Sequence, residues 1–449
     1  MDRVARGTAV AAAIDERAQQ ALVSAEDYQI SETDSGVWFV TERMPAVRSF
    51  TLGFWIATGS CTESEAEAGL SHLLEHMLFR GTDRYASHEI DEIFDEMGAE
   101  LNAGTGKETT SVYARVLDRH LTRAFDVIAD MVWRPSFGEL DAEREVVLEE
   151  IAMYEDDPQD RVFDSLGAAV FGSHPLGRAI LGSAAVVGGA RREQLAGFHA
   201  ARYGTQSVVI AAAGSVEHEQ VVEWAERATP VERDSAAPVP VVQAPTLRRG
   251  SGSQRFTRKD TEQFHVCLGG PGIARDDERR FALRVLDGLL GGTSSSRLFQ
   301  EVRERRGLAY AVYSFQNLYA GAGQVGLYVG TRPENLAEAM SVIAGELERV
   351  AQGPIAPAEI DRAKENLKGR VVLAMESTAA RMDRLGSSLL AEMPILSIDE
   401  IIERIDDVDG ELVGELASEL YAPDALVAAG IGPDEGAFEH AVDAMRVSV

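Results

Sequence analysis

The sequence predicts an α/β protein made of two successive domains of similar organisation, each of about 200 residues. Three observations predict it. The chain has 449 residues, 45 % of them hydrophobic, which is more than one compact core holds. Segments with strand-like alternation and segments with helical periodicity interleave along its length. The pattern breaks at VERDSAAPVPVVQAPTLRRG (231–250), a Pro- and Ala-rich stretch without a period, and then starts again.

Taken in order, residues 1–26 read as a polar tail or an added helix. YQISET and VWFVTE are β-prone runs around the turn DSG and predict a hairpin. SFTLGFWIATGS is a strand with Phe50, Leu52, Phe54 and Ile56 on one face. AGLSHLLEHMLFRGT (68–82) is a mostly apolar helix. Ser87 caps the next helix, HEIDEIFDEMGA, where Ile90, Ile93, Phe94 and Met97 recur at helical spacing. AELNAGTGKETTSVYARVL is rich in Thr, Val and Tyr and reads as one or two strands. Helices follow over 118–133 and 139–157, the second stopping before Pro158. SVVIAAAGSV (207–216) is a strand and EHEQVVEWAERAT a helix. Beyond the linker, QFHVCLGGPGI is a strand and ERRFALRVLDGLLGGT a helix ending in glycines. The divisions are therefore a tail (1–26), a first domain (27–232), a linker (233–250) and a second domain (251–449).

The formal net charge is −30. Coulomb repulsion then argues against nucleic acid or an anionic membrane as the main partner, while basic ligands are tolerated or attracted. The two cysteines, Cys61 and Cys267, are far apart, so a disulfide framework is not expected and a reducing compartment fits. TAVAAAI near the N-terminus is marginal for a signal segment and runs at once into DER. No apolar run reaches membrane-spanning length. These features give a cytoplasmic reading.

The helix 68–82 carries His72, Glu75 and His76. At about 100° per residue, with His72 at zero, His76 lies near 40° and Glu75 near 300°. All three share one face, and Leu70, Leu73, Leu74 and Met77 fill the other. Two His at i and i+4 can both reach one metal, with the Glu beside a water on that metal. Folding does not require them. Aligning RGT (80–82) with GGT (291–293), a shift of 211, sets Leu283, Leu286 and Asp287 against His72, Glu75 and His76. The halves then look like a degenerate duplication in which only the first carries the polar set. A third ligand is sought among the carboxylates of ELDAEREVVLEEIAMYEDDP. With Glu143 at zero, Glu150 falls near 340°, and Val146, Val147 and Tyr154 lie on the same side, whereas Glu145 and Glu149 fall near 200° and 240°. Glu143 and Glu150 are thus the inward carboxylates, and an inward carboxylate needs a cation or hydrogen bonds to offset its desolvation. Acidic runs are usually solvated faces, and HxxEH alone occurs by chance. The combination with an inward Glu-x6-Glu helix is much more specific.

On these motifs the sequence resembles the inverzincin metallopeptidases of the pitrilysin/insulinase family, which include the mitochondrial processing peptidases and bacterial relatives. GLSHLLEHMLFRGT matches the inverted zinc motif, GAELNAGTGKETTSVYARV the strand segment after it, and EREVVLEEI the distal glutamate helix. HPLGRAILGS, FHAARYGTQSVVIAAAGSV and LGGTSSSRLFQEVRERRGLAYAVYSF match later parts. The resemblance implies an α+β fold of two homologous α/β-sandwich domains, each a mostly antiparallel sheet packed with helices, together forming half of a clamshell chamber. It implies one zinc per chain on His72, His76 and Glu150, Glu75 as general base and Glu143 as an accessory carboxylate. It places Asn102 and Ala103 on the substrate backbone, by strand addition. Arg303 and Tyr310 would bind substrate and polarise its carbonyl. A chain of this length supplies half a chamber, so a homodimer is implied, with Arg303 and Tyr310 serving the partner's zinc site. Peptides are the implied substrates. The long glycine-rich loop of the non-catalytic processing subunits is missing, which argues against the inactive alternative, a scaffold or processing-complex subunit of the same fold.

Overall fold

In the computed structural model the described residues are 28–229, 254–423 and 426–447. The expected tail (1–26) and linker (233–250) lie outside them.

The predicted hairpin forms as β1 (Tyr28–Glu32) and β2 (Trp38–Arg43), paired antiparallel across the turn. β3 (Ser49–Ile56) is buried on both faces, because it runs through the middle of the first sheet. Then come α1 (Leu70–Leu78) and α2 (Ser87–Met97). The cap of α2 lies one residue earlier than expected. Ala86 is the N-cap and its N–H donates to the Glu89 carboxylate at 2.7 Å, so Ser87 already sits in the helix. The Thr/Val/Tyr-rich segment is two strands, β4 (Glu100–Thr105) and β5 (Thr110–Leu117). Helices α3 (Leu121–Trp133), α4 (Leu140–Asp156), α5 (Pro158–Phe171), α6 (Ala184–Gly188) and α7 (Arg192–Arg202) lead to β6 (Val208–Gly214) and α8 (His218–Ala228).

The second half begins with β7 (Gln254–Arg258), β8 (Phe264–Gly272) and α9 (Arg280–Leu290). A π-helical turn, Phe299–Glu304, precedes the hairpin of β9 (Ala309–Tyr319) and β10 (Ala322–Thr331). Helices α10 (Leu336–Gln352), α11 (Pro357–Ala374), α12 (Thr378–Leu390), α13 (Ile398–Asp406) and α14 (Gly410–Leu420) follow. β11 (Val427–Gly432) and α15 (Glu435–Val447) close the described chain.

The fold is α+β, with two mostly antiparallel sheets, each packed with helices. The first has the order β1-β2-β6-β3-β5-β4 and the second β7-β11-β8-β10-β9. In each, one pair is parallel, β2 with β6 and β7 with β11, and the remaining pairs are antiparallel. Apart from β1, the two orders match strand for strand, as a duplication requires.

The chain divides into two compact units that exchange segments. Of the described residues, the first comprises 28–147, 180–229 and 373–398, and the second 148–179, 254–372, 399–423 and 426–447. In the first unit α12, late in sequence, covers one face of the first sheet, where Met382 and Leu385 join Val40, Trp55, Val209, Ala211 and Ala213. Small residues let it approach. A Cβ on Gly386 would stand 2.1 Å from the Trp55 ring, and one on Gly53 2.4 Å from Met382 Sδ. Buried Glu42 receives Arg381 and Arg384 from the same helix. In the second unit α5 packs on the second sheet, with Val162 and Leu166 against Cys267, Tyr328, Val427, Ala429 and Ile431. Both cysteines are buried and unpaired with one another. Among the described residues no helix is long and apolar enough to cross a membrane.

Candidate metal centre

α1 is held at both ends. Its N-cap, Gly69, has φ +101°, a left-handed conformation that glycine adopts without a Cβ penalty. The carboxylate of buried Glu63 accepts the first backbone donors, Gly69 N–H at 2.9 Å and Ser71 N–H at 2.7 Å, and so serves as the cap that Gly69 lacks. Gly182 packs on the same end, where a Cβ would lie 2.2 Å from the Ala68 carbonyl oxygen. At the other end Ser136 N–H donates to Gly81 O at 3.0 Å, which ties the helix exit to the loop that starts α4.

Within that frame Leu70, Leu73, Leu74 and Met77 are fully buried, and the opposite face presents His72, Glu75 and His76, as the helical arithmetic expects. The two imidazoles meet edge to face with centroids 4.7 Å apart. His72 is 8 % exposed, and burial, helped by the nearby His76, pushes its pKa down to about 4. It is therefore held neutral at physiological pH, the form that binds a metal.

α4 supplies the carboxylates. Glu143 is buried and Glu150 half-buried, while Glu145 and Glu149 are exposed, as their angles require. Val147 is buried and Tyr154 half-buried, but Val146 is 49 % exposed. It sits at the rim of the inward face, about 60° from Glu143, where the helix surface already opens to solvent. Glu143 Oε1 accepts from His76 Nδ1 at 2.8 Å, and Glu143 Oε2 from Arg80 Nε. A carboxylate on Nδ1 fixes the ring's tautomer and turns Nε2 outward as a ligand. One ligand atom each from His72, His76 and Glu150 lies within 4.8 Å of the other two. Two imidazoles and a carboxylate are the donor set of catalytic zinc sites that keep a fourth position open. The residues present fit the metal.

Glu75 stands beside this group. Its Oε2 accepts from the Thr105 hydroxyl at 2.5 Å. Tyr203 is fully enclosed nearby, and burial, with the charge of Glu75 acting in the same direction, keeps its hydroxyl far above the usual range. Asn102 and Ala103 lie on β4, the edge strand of the first sheet. The Asn102 side chain is exposed and its Oδ1 accepts the Ala103 N–H at 2.8 Å. In the second unit the Arg303 guanidinium lies between the rings of Phe299 and Tyr310, 4.6 and 4.5 Å from their centroids. Tyr310 is 77 % exposed. The counterpart helix α9 has no such polar set. Leu283 and Leu286 are fully buried, and Asp287 accepts the Ser314 hydroxyl at 2.5 Å. Burial raises the Asp287 carboxyl to about 6, against that hydrogen bond.

Sequence reasoning missed Glu63, Arg80, Thr105 and Tyr203. Arg80 follows His76 by four residues and was reachable by the same angular count. The other three reach α1 through chain reversals that no local period records.

A two-domain α+β fold carrying a His, His, Glu donor set of the kind catalytic zinc sites use defines the class of protein. Residues 38–184 match the family model described as Insulinase (Peptidase family M16), and residues 190–367 the Peptidase M16 inactive domain. An uncharacterized zinc protease of Streptomyces coelicolor is 42 % identical over 393 residues, 86 % of this chain and 85 % of that one. The uncharacterized zinc protease YmxG of Bacillus subtilis is 39 % identical over 399 residues, 88 % and 96 % of the two chains. The fold is also that of a protease from Helicobacter pylori, with a TM-score of 0.84 at 20 % identity, covering 91 % of this chain and 100 % of that one. A chain of complex III2 from Candida albicans shares the fold with a TM-score of 0.79 at 19 % identity, covering 93 % and 99 %. The chain belongs to the insulinase family of zinc peptidases, peptidase family M16.

Proposed function

We propose that this chain is a zinc-dependent metalloendopeptidase that hydrolyses peptides or unfolded polypeptide segments. The observation that carries the reading is the grouping of His72, His76 and Glu150 with Glu75 at its side. His72, His76 and Glu150 would hold one zinc per chain. When bound there, zinc acidifies a water molecule and polarises a carbonyl. Glu75 accepts the proton that the attacking water gives up and returns it to the leaving amine. Glu143 acts through His76, whose Nδ1 it holds. The free edge of β4 at Asn102 and Ala103 suits an extended peptide, since strand addition recognises backbone rather than sequence.

In this reading two copies form the chamber, and Arg303 and Tyr310 of one copy orient substrate and support the developing oxyanion at the zinc of the other. Exposed Tyr310, with the half-buried Arg303 guanidinium over its ring, supports that role. Two buried cysteines that form no disulfide with one another fit a cytoplasmic location. A scaffold role is the second reading, favoured only by the likeness to the complex III2 chain, and it gives the complete donor set no purpose.

Profiling on a peptide library tests the proposal. Cleavage is expected to stop with a chelator and return with added zinc, and chelator-resistant cleavage would overturn it. Mixing inactive Arg303→Ala and Glu75→Gln proteins tests the shared sites. At random 1:1 pairing roughly a quarter of wild-type activity should return, since half the dimers regain one of two sites. No recovery in a demonstrated heterodimer would count against sites shared across the interface.

A further inference from the structure

We infer that Thr105 is a positioning residue that couples the free edge of β4 to the base Glu75, an inference that rests on the reading of Glu75 just given. Thr105 ends β4, the edge strand, and its hydroxyl donates to Glu75 Oε2 at 2.5 Å. Ala103 and Thr105 are two apart, so they project to the same side of the strand, the side that is half-buried where β4 runs against α1.

The hydroxyl is aimed by its surroundings. Opposite it in the ladder, Thr110 gives its own proton to Thr58 O at 2.8 Å. Thr110 Oγ1 lies 3.5 Å from Thr105 Oγ1, and with its proton committed to Thr58 it leaves the Thr105 proton for the carboxylate. The turn after Thr105 is pinned as well. Ser60 N–H donates to Gly106 O at 3.1 Å and Cys61 N–H to Lys107 O at 2.8 Å. The approach is so close that a Cβ on Gly59 would stand 2.5 Å from Gly106 O. The Thr105 backbone therefore has little freedom, and a hydrogen bond from a fixed donor to a carboxylate restricts where that carboxylate points.

The consequence is a mechanical link. A peptide added to β4 pairs with a backbone that ends in the residue holding the base. Because that backbone is already fixed, a peptide paired along it and the Glu75 carboxylate held by Thr105 stand in one rigid frame.

Thr105→Val keeps the shape and β-propensity and removes the donor. Its kcat should fall roughly 10- to 100-fold, the size expected for a charge-assisted hydrogen bond, with KM within about twofold. Zinc content and thermal midpoint should match wild type, and Thr105→Ser should recover most of the lost kcat. Wild-type kcat in Thr105→Val would overturn the inference. So would a loss of kcat that follows a fall in zinc content or thermal midpoint, because Thr105 would then be holding the fold. In a Glu75→Gln background Thr105→Val should change residual activity no further. If Glu75→Gln is fully active, the base assignment fails. If Glu75→Gln is dead and Thr105→Val is normal, only the positioning role fails.

Discussion

Glu75→Gln is expected to bind zinc like wild type and to lose peptidase activity by on the order of 10³-fold, the scale of a missing general base. The amide is nearly isosteric with the carboxylate, and its oxygen can still accept from Thr105, as Glu75 Oε2 does at 2.5 Å. It cannot take up a proton at neutral pH. Nothing else in the centre changes, because the donor atoms come from His72, His76 and Glu150 and the His76 ring is held by Glu143. The loss should therefore fall on kcat, with substrate affinity nearly intact. Metal analysis of the purified variant beside steady-state kinetics checks it. Wild-type turnover at full zinc occupancy would remove Glu75 from the mechanism.

What could be read in advance follows from which contacts are local. His72, Glu75 and His76 lie within five residues of one helix, so a fixed angular step sorts them. The same step separates buried Glu143 and half-buried Glu150 from exposed Glu145 and Glu149. It fails at Val146, which it places inward and the structure exposes, because an angle gives a direction and not the neighbour that fills it. Strands showed through alternation and turn residues, and β3 and the β1–β2 hairpin lie where they were expected. Four features were invisible because distant parts of the chain meet. Glu63 caps α1 from six residues before Gly69, and Thr105 reaches Glu75 from a strand 30 residues on. α12 covers the first sheet although it lies between β10 and β11 of the second in sequence, and α5 packs on the second although it precedes it. Helical periodicity says that α5 and α12 bury a face, not which sheet buries it. Gly53 and Gly386 mark the close approach of α12, but a glycine in sequence names no partner.

Replacing Glu150 by Ala is expected to strip the metal, while replacing Glu143 by Gln is expected only to weaken it. Glu150 contributes one of the three grouped donor atoms. Without it two imidazoles at i and i+4 remain, short of the three protein ligands a catalytic zinc site uses, and zinc content should fall towards zero. Glu143 stands one bond further out. Its carboxylate holds His76 Nδ1 at 2.8 Å and takes Arg80 on its other oxygen. A Gln there keeps an acceptor for the ring but leaves the guanidinium without its counter-charge. The loss of such an outer partner weakens metal affinity by about 10- to 100-fold. Glu145→Ala and Glu149→Ala change exposed carboxylates on the same helix and should leave zinc untouched, which separates a ligand effect from a general loss of acidity. Competition titrations with a zinc-binding dye on all four variants read the order directly. A full zinc complement in Glu150→Ala, or a weaker effect there than in Glu143→Gln, would exchange the two roles and place the metal one helical turn pair away, against Glu143.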